Sequence, residues 1–264
     1  MELFAYLLLG VIQGLTEFLP VSSSGHLVLA EHWLKMNPAG VTTEVALHVA
    51  TLLSVVIVYR RDIALIFSER RWNYLLLILL GTIMTVVLVL PFKDQLAALT
   101  EAPYAVRLVG GMLLVTALWL TLADVRLRRG GERQALSVGG SLLIGVAQAL
   151  AALPGISRSG ATIGAGVQLG MDRTKAARFS FLLSVPVIAG AGVLTAFDVP
   201  AEIAAGGINP LGLGIGFIAA LICGIIAIHG VLWLLQRARL SWFALYCALL
   251  GVVALAIGQG AGLQ

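Results

Sequence analysis

The sequence predicts an all-α polytopic membrane protein built as an inverted-topology repeat, each half a re-entrant helix-loop-helix hairpin followed by three transmembrane helices. Three observations lead there. Of 264 residues, 59% are hydrophobic and 11% charged, and the mean hydropathy is +1.00, a composition far from that of soluble globular domains. Six continuous apolar stretches and two interrupted ones succeed one another with only short polar connections. The two interrupted stretches also resemble each other.

The first interrupted stretch, about 3–34, breaks at LPVSSSG, and the second, about 137–169, breaks at LPGISRSG. Each break leaves arms of about 12–16 residues, fewer than the ~20 that a spanning helix requires. Non-helical backbone survives at membrane depth only where protein shields it or water reaches it. Each interrupted stretch is therefore expected to enter and leave by one face as a re-entrant hairpin. The continuous stretches at about 44–59, 73–91, 105–123, 174–197, 211–235 and 243–260 read as spans. No hydrophilic block or Pro/Ser-rich linker is large enough for a second domain, so a single membrane domain over 1–264 is expected, with repeat 1 at about 1–125 and repeat 2 at about 135–264. The opening MELFAYLLLG has an acidic residue where a leader would be basic, and no small-residue cleavage site follows, so it is expected to be retained.

Charge sets the orientation. The loops 60–72, 124–136, 170–178 and 236–242 carry thirteen of the seventeen Lys and Arg residues; Lys35, Lys93 and Arg107 fall on the other face, and Arg158 lies in the second break. Basic loops stay cytoplasmic, which puts both termini outside. The repeat appears when the chain is slid by 135 positions: Gly10, Val11, Gln13, Leu15, Ser22, Ser24 and Gly25 meet Gly145, Val146, Gln148, Leu150, Ser157, Ser159 and Gly160. LLSV at 52–55 returns at 182–185. Three spans separate the hairpins, so the second copy is inverted and the two breaks can meet near the midplane.

The breaks hold the candidate chemistry. A carboxylate deep in a membrane protein is a functional candidate by default, so Glu17 is either a working group or a solvated interfacial one; Gln13 shares its helix face at i, i+4. Ser22, Ser23, Ser24 and Gly25 offer hydroxyls and backbone N–H groups at the start of a returning helix, an arrangement that binds anions, although serines there also serve as plain caps. His26 reads as a proton donor, a nucleophile or a packed interfacial residue. His32 is near a helix end, while His48 and His229 lie in apolar spans, where hydrogen bonding between helices is the default reading. In the second break, the Arg158 guanidinium between Ser157, Ser159 and Gly160 either clamps phosphate oxygens or forms a structural bridge to Glu17. Cys223 and Cys247 sit in apolar runs and read as small buried hydrophobes. The absence of GxxxxGK[ST], CxxC and HExxH argues against nucleotide hydrolysis and tight zinc binding, and a nucleic-acid partner is not expected. A loosely held Mg²⁺ or Ca²⁺ arriving with a diphosphate is compatible with such a site, with Glu17 as the candidate metal contact. Broken helices meeting at the midplane are transporter architecture too, so a transporter or flippase of a phosphorylated lipid is the alternative.

At these residues the chain resembles the undecaprenyl-diphosphate phosphatases of the bacitracin-resistance type. QGLTEFLPVSSSGHL at 13–27 is similar to that family's first motif and PGISRSGATI at 154–163 to its second; EVALHVATLLSVVIVYRRD and DRTKAARFSFLLSVP resemble intermediate blocks. The resemblance implies hydrolysis of undecaprenyl diphosphate to the monophosphate and inorganic phosphate in the bacterial inner membrane, recycling the lipid carrier of cell-wall synthesis. It also implies bacitracin resistance, because bacitracin traps the same diphosphate lipid. By the same resemblance Glu17 is the essential carboxylate, His26 the catalytic imidazole, Ser23 a nucleophile or phosphate ligand, and Arg158 the diphosphate-binding cation, leaving Ser23, His26 or water as the attacking group. Gln13 stands where part of the family has Glu, which weakens any mechanism needing two carboxylates there, and Ala50 stands where glycine is usual. The expected partners are the membrane, a polyprenyl diphosphate lipid and, as a homodimer, a second copy of the chain.

Overall fold

A computed structural model describes residues 2–34, 40–130, 135–197, 200, 208–237 and 239–260, and among them every regular element is helical. Lys35 and Arg133, both part of the charge count, lie outside the described residues. The first half contains α1 (Glu2–Thr16), α2 (Ser23–Leu34), α3 (Gly40–Val58), α4 (Arg60–Ser68), α5 (Trp72–Val89), a 3₁₀ turn (Leu90–Phe92), α6 (Lys93–Glu101) and α7 (Ala105–Arg128). The second contains α8 (Val138–Leu150), α9 (Arg158–Gln168), α10 (Arg173–Ala196), α11 (Pro210–Arg237) and α12 (Leu240–Gly260).

All six expected spans are helices, and among the described residues five apolar segments, 72–100, 105–128, 173–196, 210–237 and 240–258, are long enough to cross a bilayer, while the helix over the expected span 44–59 is shorter, apolar over 42–58. The packing of α11 has the character of a membrane helix. Ile218, Ile222 and Ile226, spaced i, i+4, are 58%, 53% and 61% exposed, while Gly216, Ala220 and Gly224 are buried. Small residues face protein and large apolar ones face outward, as lipid-solvated helices arrange them. The molecule is a multi-pass membrane protein.

Both interrupted stretches are helix-turn-helix units whose arms of 15, 12, 13 and 11 residues reach only about 16–23 Å at 1.5 Å per residue. Each pair of arms packs together, α1 with α2 and α8 with α9. The outer arms then dock on long helices of the opposite half, α1 against α11 and α8 against α5, while α3 meets α10 and α7 meets α12. Glycine makes both dockings close: a Cβ at Gly10 would collide with the backbone of Gly216, and one at Gly145 with the carbonyl of Gly81.

The 60–72 connection departs from the loop expected. Most of it is α4, in which Ile66 is buried and Arg60 and Arg61 stay outside. A nine-residue amphipathic turn of this kind is too short to announce itself as a span and satisfies its own backbone at the membrane edge. The apolar centre of the bundle gathers around Phe18, Tyr59 and Phe181, with Phe18 meeting Phe181 edge-on at 5.4 Å. It lies directly beside Glu17 in sequence, so the core anchors the first turn.

Candidate active site

The two turns are built alike. Ser22 Oγ accepts from Gly25 N at 3.3 Å and lies 3.4 Å from Ser24 Oγ; Ser157 Oγ accepts from Gly160 N at 3.0 Å and lies 3.2 Å from Ser159 Oγ. Ser22 takes φ +70° and Gly155 φ +97°, left-handed conformations that turn the chain sharply into the returning helix. One hydroxyl from α7 fixes the second turn: Thr116 Oγ1 accepts from Ser157 N at 3.1 Å and donates to Gly155 O at 3.2 Å. The turns are tied to each other where Ser159 Oγ donates to Leu19 O at 2.7 Å. The starts of α2 and α9 thereby open on a common cavity of about 200 Å³.

Glu17 is 5% exposed and lies at the centre of that cavity's polar wall. Its Oε2 accepts from Gln13 Nε2 at 2.8 Å and from Ser23 Oγ at 2.6 Å, and its Oε1 accepts from Arg158 Nη2 at 2.5 Å. His48 Nε2 is 3.5 Å from Oε2. The donors Gln13, Ser23 and Arg158 favour the ionised carboxylate. Arg158 lines the cavity and spends Nη2 on Glu17, while its buried Nη1 has no hydrogen-bond partner among the described residues, an unsatisfied cationic donor at the edge of the site. Gln148 also lines the cavity, donating from Nε2 to Thr85 Oγ1 at 3.1 Å with its buried Oε1 unpartnered. Opposite stand Ile156, Val187 and Ile188, an apolar wall.

The sequence-derived candidates separate into groups. Glu17, Ser23, Ser24 and Arg158 line the cavity, and Gln13 supports Glu17 from its own helix. Ser22 and Ser157 cap helices, Ser159 joins the turns, and the N–H groups of Gly25 and Gly160 are engaged by those caps. His26 is held elsewhere: Nδ1 donates to Ser22 O at 2.7 Å, and Nε2 accepts from the hydroxyl of Tyr246 on α12 at 2.7 Å, outside the cavity lining. The Glu17–Arg158 bridge and the free Nη1 coexist, so the two readings of Arg158 are not exclusive. His48, read from the sequence as a residue bonding between helices, and Gln148 and Ser184 are lining polar residues absent from the sequence-derived site candidates. For Gln148 a signal existed, its pairing with Gln13 in the repeat.

The sequence matches the family described as Bacitracin resistance protein BacA over residues 6–253. The chain belongs to the bacitracin resistance protein BacA family. Among similar proteins, an undecaprenyl-diphosphatase of Christiangramia forsetii is 43% identical over 265 residues, covering 97% of this chain and 98% of the relative. Undecaprenyl-diphosphatases of Halothermothrix orenii and Bacteroides fragilis are 42% and 37% identical, the former over 96% of this chain and 97% of its own, the latter over 98% and 99%. Family membership thus extends over both turns and every cavity-lining residue, 17 to 188.

Proposed function

We propose that the protein is an undecaprenyl-diphosphate phosphatase of the bacterial cytoplasmic membrane, releasing inorganic phosphate and returning undecaprenyl phosphate to cell-wall synthesis. The observation that carries the reading is the convergence on one cavity of a buried carboxylate, a hydroxyl donating to it at 2.6 Å and a guanidinium with an unpartnered buried nitrogen. Phosphoryl transfer demands chiefly positioning and charge stabilisation. Arg158 Nη1 binds the diphosphate, Ser24 and the first amides of α2 add donors, and the apolar wall receives the start of the isoprenoid tail. Glu17 withdraws the proton of the attacking hydroxyl. Ser23 is the nucleophile best placed for this, since its hydrogen already points at Glu17 Oε2.

The donor set does not fit a protein-built metal site. Among the described residues Glu17 is the only carboxylate lining the cavity, and its oxygens already accept from Gln13, Ser23 and Arg158. A Mg²⁺ or Ca²⁺ is accordingly assigned to the diphosphate as part of the substrate. The inverted repeat is supported by the exchange of docking partners between halves and by the matching serine geometry at the two turns. Placement of the basic loops on one face is supported by their mutual contacts, Arg178 with Asp62 at 3.3 Å, Arg173 with Gln236 O at 3.1 Å and Leu240 N with Asp124 at 3.1 Å, and their excess of Lys and Arg assigns that face to the cytoplasm. Both termini are then periplasmic. Homodimerisation is retained as part of the proposal through the exposed apolar helix faces.

Purified protein in detergent, given undecaprenyl diphosphate, is expected to release phosphate, and Ser23→Ala to reduce this by about 10³-fold or more while lipid binding persists. A carrier would release none. Turnover retained in Ser23→Ala would transfer the attack to water.

A further inference from the structure

We propose that His48 is a positioning residue that acts through Glu17, taking from it the proton released by the nucleophile and so returning Glu17 to its ionised form within a turnover. This rests on the phosphatase reading above.

The tautomer of His48 is set by its own helix. Nδ1 lies 2.7 Å from the carbonyl oxygen of Glu44, and a carbonyl only accepts, so Nδ1 carries hydrogen. In the neutral ring the lone pair is then on Nε2, which lies 3.5 Å from Glu17 Oε2 at the cavity wall. With the ring neutral and Glu17 a carboxylate receiving from Gln13, Ser23 and Arg158, lone pairs on Nε2 and Oε2 face each other there. Once Glu17 gains a proton on Oε2, the base beside it is His48 Nε2.

The surrounding groups do not offer an equal alternative. Gln13 is an amide, which donates to Glu17 but is too weak a base to take a proton from it at physiological pH; Arg158 is already a cation. Across the cavity α10 contributes Ser184, Val187 and Ile188, and the second turn contributes no titratable group besides Arg158. Glu44 is one turn back on α3 and meets His48 through its backbone oxygen. His26 has both ring nitrogens engaged outside the lining. Among the described residues that line the cavity, Glu17 and His48 are the only carboxylate and imidazole.

Ser23 is the nucleophile in this sequence of steps. The Ser23 Oγ–P bond forms, the bridging P–O bond breaks, and its electron pair leaves with the lipid phosphate. The serine proton passes to Glu17 Oε2 and on to His48 Nε2, giving an imidazolium. Water then adds to the phosphoserine phosphorus, one of its hydrogens restores the serine through Glu17, and the imidazolium proton departs with the products.

The test is phosphate release from undecaprenyl diphosphate, across roughly pH 5 to 9, by wild type, His48→Gln and Gln13→Glu/His48→Gln. His48→Gln keeps size and polarity but no basic nitrogen. It should lower kcat about 10- to 100-fold with KM within about twofold of wild type, and move the acid-side fall of kcat to lower pH. Adding Gln13→Glu places another proton acceptor beside Glu17 and should recover about tenfold. Wild-type kcat and pH profile in His48→Gln overturn the proposal, as does a loss that Gln13→Glu fails to recover in a variant whose circular dichroism is unchanged. A wild-type protein that releases no phosphate overturns the phosphatase reading itself.

Discussion

Glu17 is held by donors of three kinds, an amide, a hydroxyl and a guanidinium, and each substitution at this cluster should fail in its own way. Glu17→Gln preserves shape but turns one acceptor edge into a donor facing Gln13, Ser23 or Arg158. Loss of the proton acceptor should lower kcat by about 10² to 10⁴-fold with a smaller change in KM, measured as phosphate release. Arg158→Lys keeps the charge but not the fork. A single ammonium cannot both hold Glu17 and reach the diphosphate, so KM should rise about tenfold or more, and Arg158→Ala should weaken lipid binding further. The sequence makes Glu17, Ser23 and Arg158 readable because polar groups inside apolar stretches need a reason. The direction of His26 was not readable. It follows Ser24 by two positions, about 200° around a helix, and only the docking of α12 decides that Tyr246 meets it there. His48 was hidden for the complementary reason, since nothing local distinguishes it from a histidine bridging two spans until α1 and α3 are brought together.

At the level of elements, the short arms are positioned by glycine contacts rather than by large side chains. Gly10→Leu should push α1 from α11 and lower Tm by several degrees, while Gly111→Ala, which has open space around its Cβ position, should leave Tm unchanged; thermal unfolding in detergent compares them. Displacing α1 also carries Gln13 and Glu17 away from Arg158, so Gly10→Leu should lose activity beyond its loss of stability. Spans were legible from apolar length, and the broken stretches from Pro, Ser and Gly at the middle of each. The helix α4 was not, because nine residues of mixed character fit a loop as well as an interfacial turn, and burial of Ile66 is settled only by its neighbours.

For the whole molecule, the contacts of Arg178 with Asp62, Arg173 with Gln236 O and Leu240 N with Asp124 gather the basic connections at one end of the bundle. Impermeant maleimide applied to spheroplasts should label Glu2→Cys and spare Arg126→Cys, and lysis should expose both; the reverse pattern would turn the protein over in the membrane. The likeness of the two turns was visible in sequence, where spacing and chemistry coincide, but the docking of α1 on α11 and of α8 on α5 was not, because apolar faces carry little information about their partner.

The Glu17–Arg158 bridge spans 141 positions of sequence, and that separation has a meaning during synthesis. At about 5–20 residues per second the ribosome delivers the arginine roughly seven to thirty seconds after the glutamate. Throughout that interval the first hairpin must shelter an acidic group without its counter-ion. Gln13 and Ser23 belong to the same hairpin and are available from the outset, so the groups that later tune a reaction first serve to make the nascent chain tolerable to the bilayer.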